Sequence, residues 1–235
     1  MKRISVCMPV FNGSAYLRAQ LSSILEQLDE SDEVVISDDG STDDSLAIIA
    51  EFGDYRIRVI PGEKSSHPSY NLERALEAAH GIYIFLSDQD DVWKPNKVAQ
   101  MLQALKSSSL VVHDCEVVDQ NLAPLHPSFY LSHGSKAGLV QNILRNSYLG
   151  CCMAFKAEVL KKALPFPRPI GMHDIWLGLV AEMWYGSAFI DDNLLYYRRH
   201  GQNASTTSSA SSLTLWQQLM LRIRLVWQLF TTIFR

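Results

Sequence analysis

Four cysteines in 235 residues, Cys7, Cys115, Cys151 and Cys152, make no C-x-x-C pair and have no histidine at zinc-finger distance. That excludes a zinc knuckle, and buried free thiols in a reducing compartment are expected. Basic residues are also short: 21 Lys and Arg against 25 Asp and Glu leave a net charge of −4. A nucleic-acid binder would carry a basic stripe, so no nucleic-acid partner is expected. No secretory leader is expected either, because the apolar run after Met1-Lys2-Arg3 is short and breaks at Pro9. The N-terminus therefore reads as cytoplasmic. What is present is 47% apolar and 20% charged residues, enough to bury a real core.

Along the chain, short apolar runs alternate with helical periodicity. Ile4 to Val10, Val34 to Ile36, Ile57 to Ile60 and Ile82 to Leu86 read as strands. The first two and the last lack alternation, as expected of strands buried on both faces. Between them, Leu17, Leu21, Ile24 and Leu28 recur at helical spacing, with Ser14 as candidate N-cap. Helices are also expected from Asp43 to Phe52, over residues 71–80, and from near Pro95. This alternation predicts an α/β fold with a doubly wound, mainly parallel sheet and helices on both faces. After Val111-Val112 the pattern loosens, and the second half reads as insertions and helices that complete a pocket. Residues 203–212 are a Ser/Thr-rich linker.

Two acidic clusters fall at strand ends, where ligands of such sheets bind. Asp88, Asp90 and Asp91 place three carboxylates within four residues. Like charges this close are costly unless a cation neutralises them, and hard oxygen ligands suit Mg²⁺ or Mn²⁺. The plainer reading is a solvated loop capping the helix after Pro95. Asp38-Asp39-Gly40-Ser41-Thr42-Asp43 is the second cluster. It reads either as a helix start with Ser41 or Thr42 as N-cap, or as a carboxylate accepting from the imide N–H of a pyrimidine base.

Three segments now act together. Met8-Pro9-Val10-Phe11-Asn12, Ser37-Asp38-Asp39-Gly40-Ser41-Thr42-Asp43 and Phe85-Leu86-Ser87-Asp88-Gln89-Asp90-Asp91-Val92-Trp93 resemble, in order and spacing, family 2 of the glycosyltransferases. The resemblance implies the GT-A fold over residues 1–202, with a nucleotide-sugar half (1–110) and an acceptor half (111–202). It implies that Pro9, Phe11 and Asn12 line a nucleotide pocket and that Asp38 or Asp39 contacts the base. Asp88-Gln89-Asp90 matches the D-x-D element, with Asp90 as metal ligand and Asp88 facing the donor ribose or sugar. His173-Asp174 sits where the family carries its base, which makes Asp174 the general base and His173 its orienting partner or a donor contact. Tyr196-Tyr197-Arg198-Arg199-His200 resembles the family's Y-R-x-H element, implying Arg198 as a phosphate clamp and His200 in the metal shell. Gly150 and Trp176 fall near the implied acceptor site, and Trp93 reads as a packing anchor.

The implied activity is inverting, metal-dependent transfer from a nucleoside-diphosphate sugar to a hydroxyl of a glycan or lipid-linked acceptor. Residues 68–72 and 87–93, with Lys97 beyond, look like bacterial rhamnosyltransferases of surface-polysaccharide assembly, which favours dTDP-L-rhamnose over UDP-hexoses. Glu73 departs from the commoner family pattern, which has glycine there. A nucleotidyltransferase or a non-catalytic sugar-nucleotide-binding module are the competing classes. Against the former, Phe11-Asn12-Gly13-Ser14 is a poor glycine-rich loop, and against the latter stand the intact acids and His173-Asp174.

Residues 213–235 form an amphipathic helix. Arg222 and Arg224 fall in its middle, where each would cost about 2.5–3.5 kcal/mol in a spanning segment. An in-plane helix at the inner face of the cell membrane is expected, with Trp216 and Trp227 at the headgroup boundary. Packing on the domain or on a second subunit is the alternative, so an oligomer stays open.

Overall fold

The computed structural model describes residues 3–60, 64–65, 67–201 and 214–234. In chain order the elements are β1 (Ile4–Val10), α1 (Ser14–Leu25), β2 (Glu33–Asp38), α2 (Ser45–Glu51), β3 (Ile57–Ile60), α3 (Pro68–Glu77), β4 (Tyr83–Leu86), β5 (Val92–Trp93) and α4 (Lys97–Ala104). They continue with β6 (Leu110–Val118), β7 (Pro124–His126), α5 (Phe129–His133), α6 (Leu139–Leu144), β8 (Met153–Lys156), α7 (Leu160–Ala163), α8 (His173–Trp184), β9 (Ser187–Arg198) and α9 (Leu215–Thr231).

One sheet organises them, in the order β3-β2-β1-β4-β8-β6-β9-β5, with β7 paired to β6. β3, β2, β1 and β4 are mutually parallel. β8 then runs antiparallel to both β4 and β6, β9 lies parallel to β6, and β5 closes the edge antiparallel to β9. The expected mainly parallel α/β sheet is found, but the half read as insertions and helices also supplies β6 to β9, and β5, β7 and β8 run antiparallel to their neighbours. β8 sits between β4 and β6, so strands from before and after residue 110 share the same sheet.

β1 and β2 are nearly wholly buried because helices cover both faces. α1 turns Leu17, Leu21 and Ile24 into the core. Ser14 does not cap it; the N-cap is Gly13, and the free N–H groups of Gly13 and Ser14 instead donate to Ser45 Oγ and Asp43 Oδ2. Neither Ser41 nor Thr42 caps α2, which begins after Asp44. All four cysteines are buried and free, as expected.

α9 lies on the domain through Leu225 and Leu229, and the Thr232 carbonyl just beyond it accepts from Lys162. A second apolar stripe points outward: Trp216, Met220, Ile223, Trp227, Phe230 and Phe234 recur at three- and four-residue steps and are all exposed. One face of the helix thus packs on the domain, the packing alternative read from the sequence, and the opposite face is exposed. Among the described residues no helix is long and apolar enough to cross a membrane. The predicted linker, 203–212, lies outside the described residues.

Candidate active site

A cleft of about 650 Å³ opens at the carboxyl ends of β1, β2 and β4. Its wall includes Pro9, Phe11, Asp39, Asp88, Asp90, Gly150, His173 and Asp174, residues separated by up to 165 positions in the chain.

The loop after β2 turns at Gly40, whose φ of +84° suits glycine. Asp38 Oδ2 accepts from the N–H groups of Gly40 and Ser41 at 3.0 Å each, so Asp38 shapes that turn. Asp39 is the member of the pair that lines the cleft, and Arg74 of α3 holds its Oδ1 at 3.1 Å. Asn12, at φ +49°, accepts from the N–H of Thr42 at 2.8 Å and gives its own N–H to Ser41 Oγ at 2.9 Å. Asn12 thus ties the loop after β1 to the loop after β2, and Asp38 folds the latter on itself; of the adjacent pair, Asp39 lies on the cleft wall.

After β4 comes the acidic turn. Gln89, the middle residue of Asp88-Gln89-Asp90, accepts from the Phe11 N–H at 2.9 Å and donates to the Phe11 carbonyl at 3.1 Å. This amide clamp joins the first and third motifs, and nothing in a D-x-D spacing signals it. Asp90 Oδ2 lies 2.8 Å from His200 Nε2, and the imidazole stacks on Tyr16. Arg198 is buried. Its Nε donates to the Asp90 carbonyl at 2.6 Å, one terminal nitrogen donates to the Gln120 carbonyl, and its backbone N–H donates to Asp91. The guanidinium braces the acidic turn through the Asp90 and Gln120 carbonyls.

Burial first, then the charges of Asp90 and Asp174, push the Asp88 carboxyl up to about 7. Asp91 is raised as well, by burial and by Asp90 and Asp88, and among the described residues its Oδ2 has no hydrogen-bond partner. Three carboxylates with one orphaned oxygen are the donors that could hold a divalent cation, and carboxylate oxygens suit Mg²⁺ or Mn²⁺. The Cys151 thiol also lies within 4.8 Å of carboxylate oxygens of Asp88 and Asp91. Burial holds it protonated, so it is a poor ligand for a hard cation.

Across the cleft, α8 begins with His173 and Asp174. Being in the first turn favours a carboxylate, and Asp174 Oδ1 accepts from the Ile175 N–H at 2.7 Å. Burial outweighs both and raises its carboxyl to about 6. His173 is shifted the other way, down to about 4, by burial and by His67. It is neutral at pH 7, with Nδ1 3.3 Å from Ser69 Oγ. Gly150 makes room for this ring: a Cβ there would stand 2.8 Å from His173 Nε2. Trp176 is fully buried and donates its indole N–H to the Ala163 carbonyl at 2.9 Å. Its side chain is packed in the core and borders the cavity between α9 and residues 169–172.

Residues 5–164 match the family described as Glycosyl transferase family 2. The chain belongs to that family. Among curated relatives, an uncharacterized glycosyltransferase of Nostoc sp. is 30% identical over 89% of this chain and 69% of its own length. The dTDP-rhamnosyl transferase RfbG of Shigella flexneri is 29% identical over 83% of this chain and 72% of its own. WfgD of Escherichia coli, a UDP-Glc:alpha-D-GlcNAc-diphosphoundecaprenol beta-1,3-glucosyltransferase, is 24% identical over 70% and 64%. Among solved structures, S. aureus TarS in complex with UDP-GlcNAc superposes with TM-score 0.73 at 19% identity, over 95% of this chain and 66% of that one. That likeness establishes the GT-A fold. The chain thus spans about two thirds of the length of several proteins it resembles.

Family membership decides against a nucleotidyltransferase. Within the glycosyltransferase frame, Glu73, the departure from the usual glycine, is buried and pairs with Arg168 at 2.6 Å while accepting from the Phe166 N–H. It anchors the segment that leads into His173. Lys97, fully buried, donates to the Cys151 carbonyl at 2.8 Å behind the acidic turn. Its positive charge there opposes the rise at Asp88.

Proposed function

We propose that this glycosyltransferase moves a sugar from a nucleoside diphosphate to an acceptor hydroxyl with inversion. One observation carries the reading: a single cleft brings Asp39, Asp88 and Asp90 from the nucleotide-side loops to Asp174 and His173 at the start of α8. Pro9 and Phe11 flank the base, and Asp39 accepts from its imide N–H. Asp88 faces the ribose or sugar. Asp90 and His200 would hold Mg²⁺ or Mn²⁺, which would supply positive charge to the departing diphosphate.

Asp174 takes the proton of the attacking hydroxyl. A carboxyl at about 6 is ionised at neutral pH yet more basic than a free aspartate, which suits that task. Neutral His173 steers the acceptor or the donor from beside it, and Gly150 leaves space for both. Displacement by one base opposite the leaving group inverts the anomeric centre.

For the donor, the similarity to RfbG, named a dTDP-rhamnosyl transferase, supports dTDP-L-rhamnose. The similarity to WfgD, named for UDP-Glc, supports a UDP-hexose as the second reading. A glycan acceptor carried on a lipid diphosphate is in keeping with the exposed apolar stripe of α9, which would hold the enzyme at the inner membrane face. The test is a thermal-shift screen with Mn²⁺ and dTDP-, UDP- and GDP-sugars, on the parent and on Asp90→Ala. Stabilisation by dTDP-rhamnose that needs both metal and Asp90 is expected. A response to UDP-sugars alone discards rhamnose, and no response to any pair removes the donor-site reading.

A further inference from the structure

A second cavity, about 480 Å³, lies between α9 and residues 169–172. Gly171 and Met172 line both this cavity and the catalytic cleft, so the two adjoin across those residues, immediately before His173 and Asp174. Its walls combine two chemistries. Ile143, Ile175, Leu221 and Leu225 offer apolar surface, and Arg222 and Arg224 bring two cations.

The charge pattern is uneven in a protein of net charge −4. The catalytic cleft gathers Asp39, Asp88, Asp90 and Asp174, whereas the adjoining groove has guanidinium groups. Arg222 gives one donor to the Leu144 carbonyl at 2.8 Å, which leaves further N–H groups of the fork for an anion. Arg224 is exposed on the groove's rim. On the far side of the same helix stands the outward stripe containing Trp216 and Trp227. A ligand matched to this setting has a sugar on one side, an anionic group in the middle and a long apolar chain leading toward a lipid surface.

We propose that the groove is the subsite for the diphosphate and first isoprene units of a polyprenyl-diphosphate-linked acceptor. The two arginines take the diphosphate, the aliphatic wall takes the chain, and the acceptor sugar passes Gly171 and Met172 to place its hydroxyl at Asp174. This rests on the lipid-linked acceptor reading above and adds where that lipid binds and which residues choose it.

The test compares two acceptors bearing the same sugar, one on farnesyl diphosphate and one as a methyl glycoside, with the parent and with R222Q/R224Q. Both substitutions remove a charge-assisted hydrogen bond to the diphosphate and leave the glycoside untouched. The variant's KM for the farnesyl-diphosphate acceptor should therefore rise about tenfold or more relative to its KM for the glycoside. Farnesyl diphosphate alone should inhibit the parent in competition with acceptor, and inhibit the variant less. An unchanged KM ratio overturns the groove while leaving a lipid-linked acceptor standing. Inhibition competitive with the donor also overturns it, because the diphosphate then sits in the nucleotide site. A parent enzyme that does not prefer the farnesyl-diphosphate acceptor over the glycoside removes the lipid-linked acceptor reading itself, and the groove with it.

Discussion

Changing Asp174 to Asn should stop the chemistry and strengthen the fold. Asp174 is buried, and burial raises its carboxyl from the ordinary 3.8 to about 6. Its folded pKa therefore exceeds its unfolded one, so ionising this group costs the native state stability. The cost is absent below about 4, grows between about 4 and 6, and is complete above about 6. In size it corresponds to about 3 kcal/mol. Asn removes the charge and keeps an oxygen to accept from the Ile175 N–H, a bond of 2.7 Å in the parent. Urea unfolding at pH 8 should therefore show Asp174→Asn more stable than the parent by up to about 3 kcal/mol, with the gain fading toward pH 4. Sugar transfer should fall by about 10²- to 10⁴-fold. Parent activity should drop as pH falls through about 6, where the base takes a proton. A variant less stable than the parent at pH 8, or a stability gain that grows on acidification, would refute this account of the base.

The remaining expectations concern geometry. Gly150→Ala sets a Cβ 2.8 Å from His173 Nε2, so transfer should fall by up to about 100-fold while circular dichroism stays native. Arg198→Ala removes the brace under the acidic turn and should cost about 3 kcal/mol of stability in denaturant titration, unlike a surface phosphate clamp, whose loss would leave stability intact. Asp90→Ala should abolish the Mn²⁺-dependent part of donor binding, read by calorimetry with and without metal. Trp216→Ala with Trp227→Ala should weaken sedimentation with anionic vesicles by about tenfold or more without altering the inward packing of Leu225 and Leu229.

Local chemistry made much of this fold legible. Strands buried on both faces need unbroken apolar runs, so β1 and β2 could be read from Ile4 to Val10 and from Val34 to Ile36. Acids at the ends of such strands pointed to the cleft for the same reason, since ligands of these sheets gather there. β8 could not be read this way. An antiparallel insertion is decided by which neighbours its edges meet, and Met153–Lys156 carries no mark of pairing with β4 and β6 at once.

The division of labour among site residues was also beyond the sequence. Asp38 and Asp39 are adjacent and chemically identical, yet one faces the turn's N–H groups and the other the cleft. Nothing in the sequence showed that the Asp90 and Gln120 carbonyls would meet Arg198, which the fold brings to them. Trp176 and Asp174 share one helix, and its rotation alone sends the first to the core and leaves the second on the cleft wall. The α/β sheet, the family and the set of acids follow from residue order alone, because backbone periodicity and residue chemistry are local. Which donor meets which acceptor, and so which acid shapes a loop and which lies on the cleft wall, depends on the folded chain, because those partners come from distant parts of the sequence.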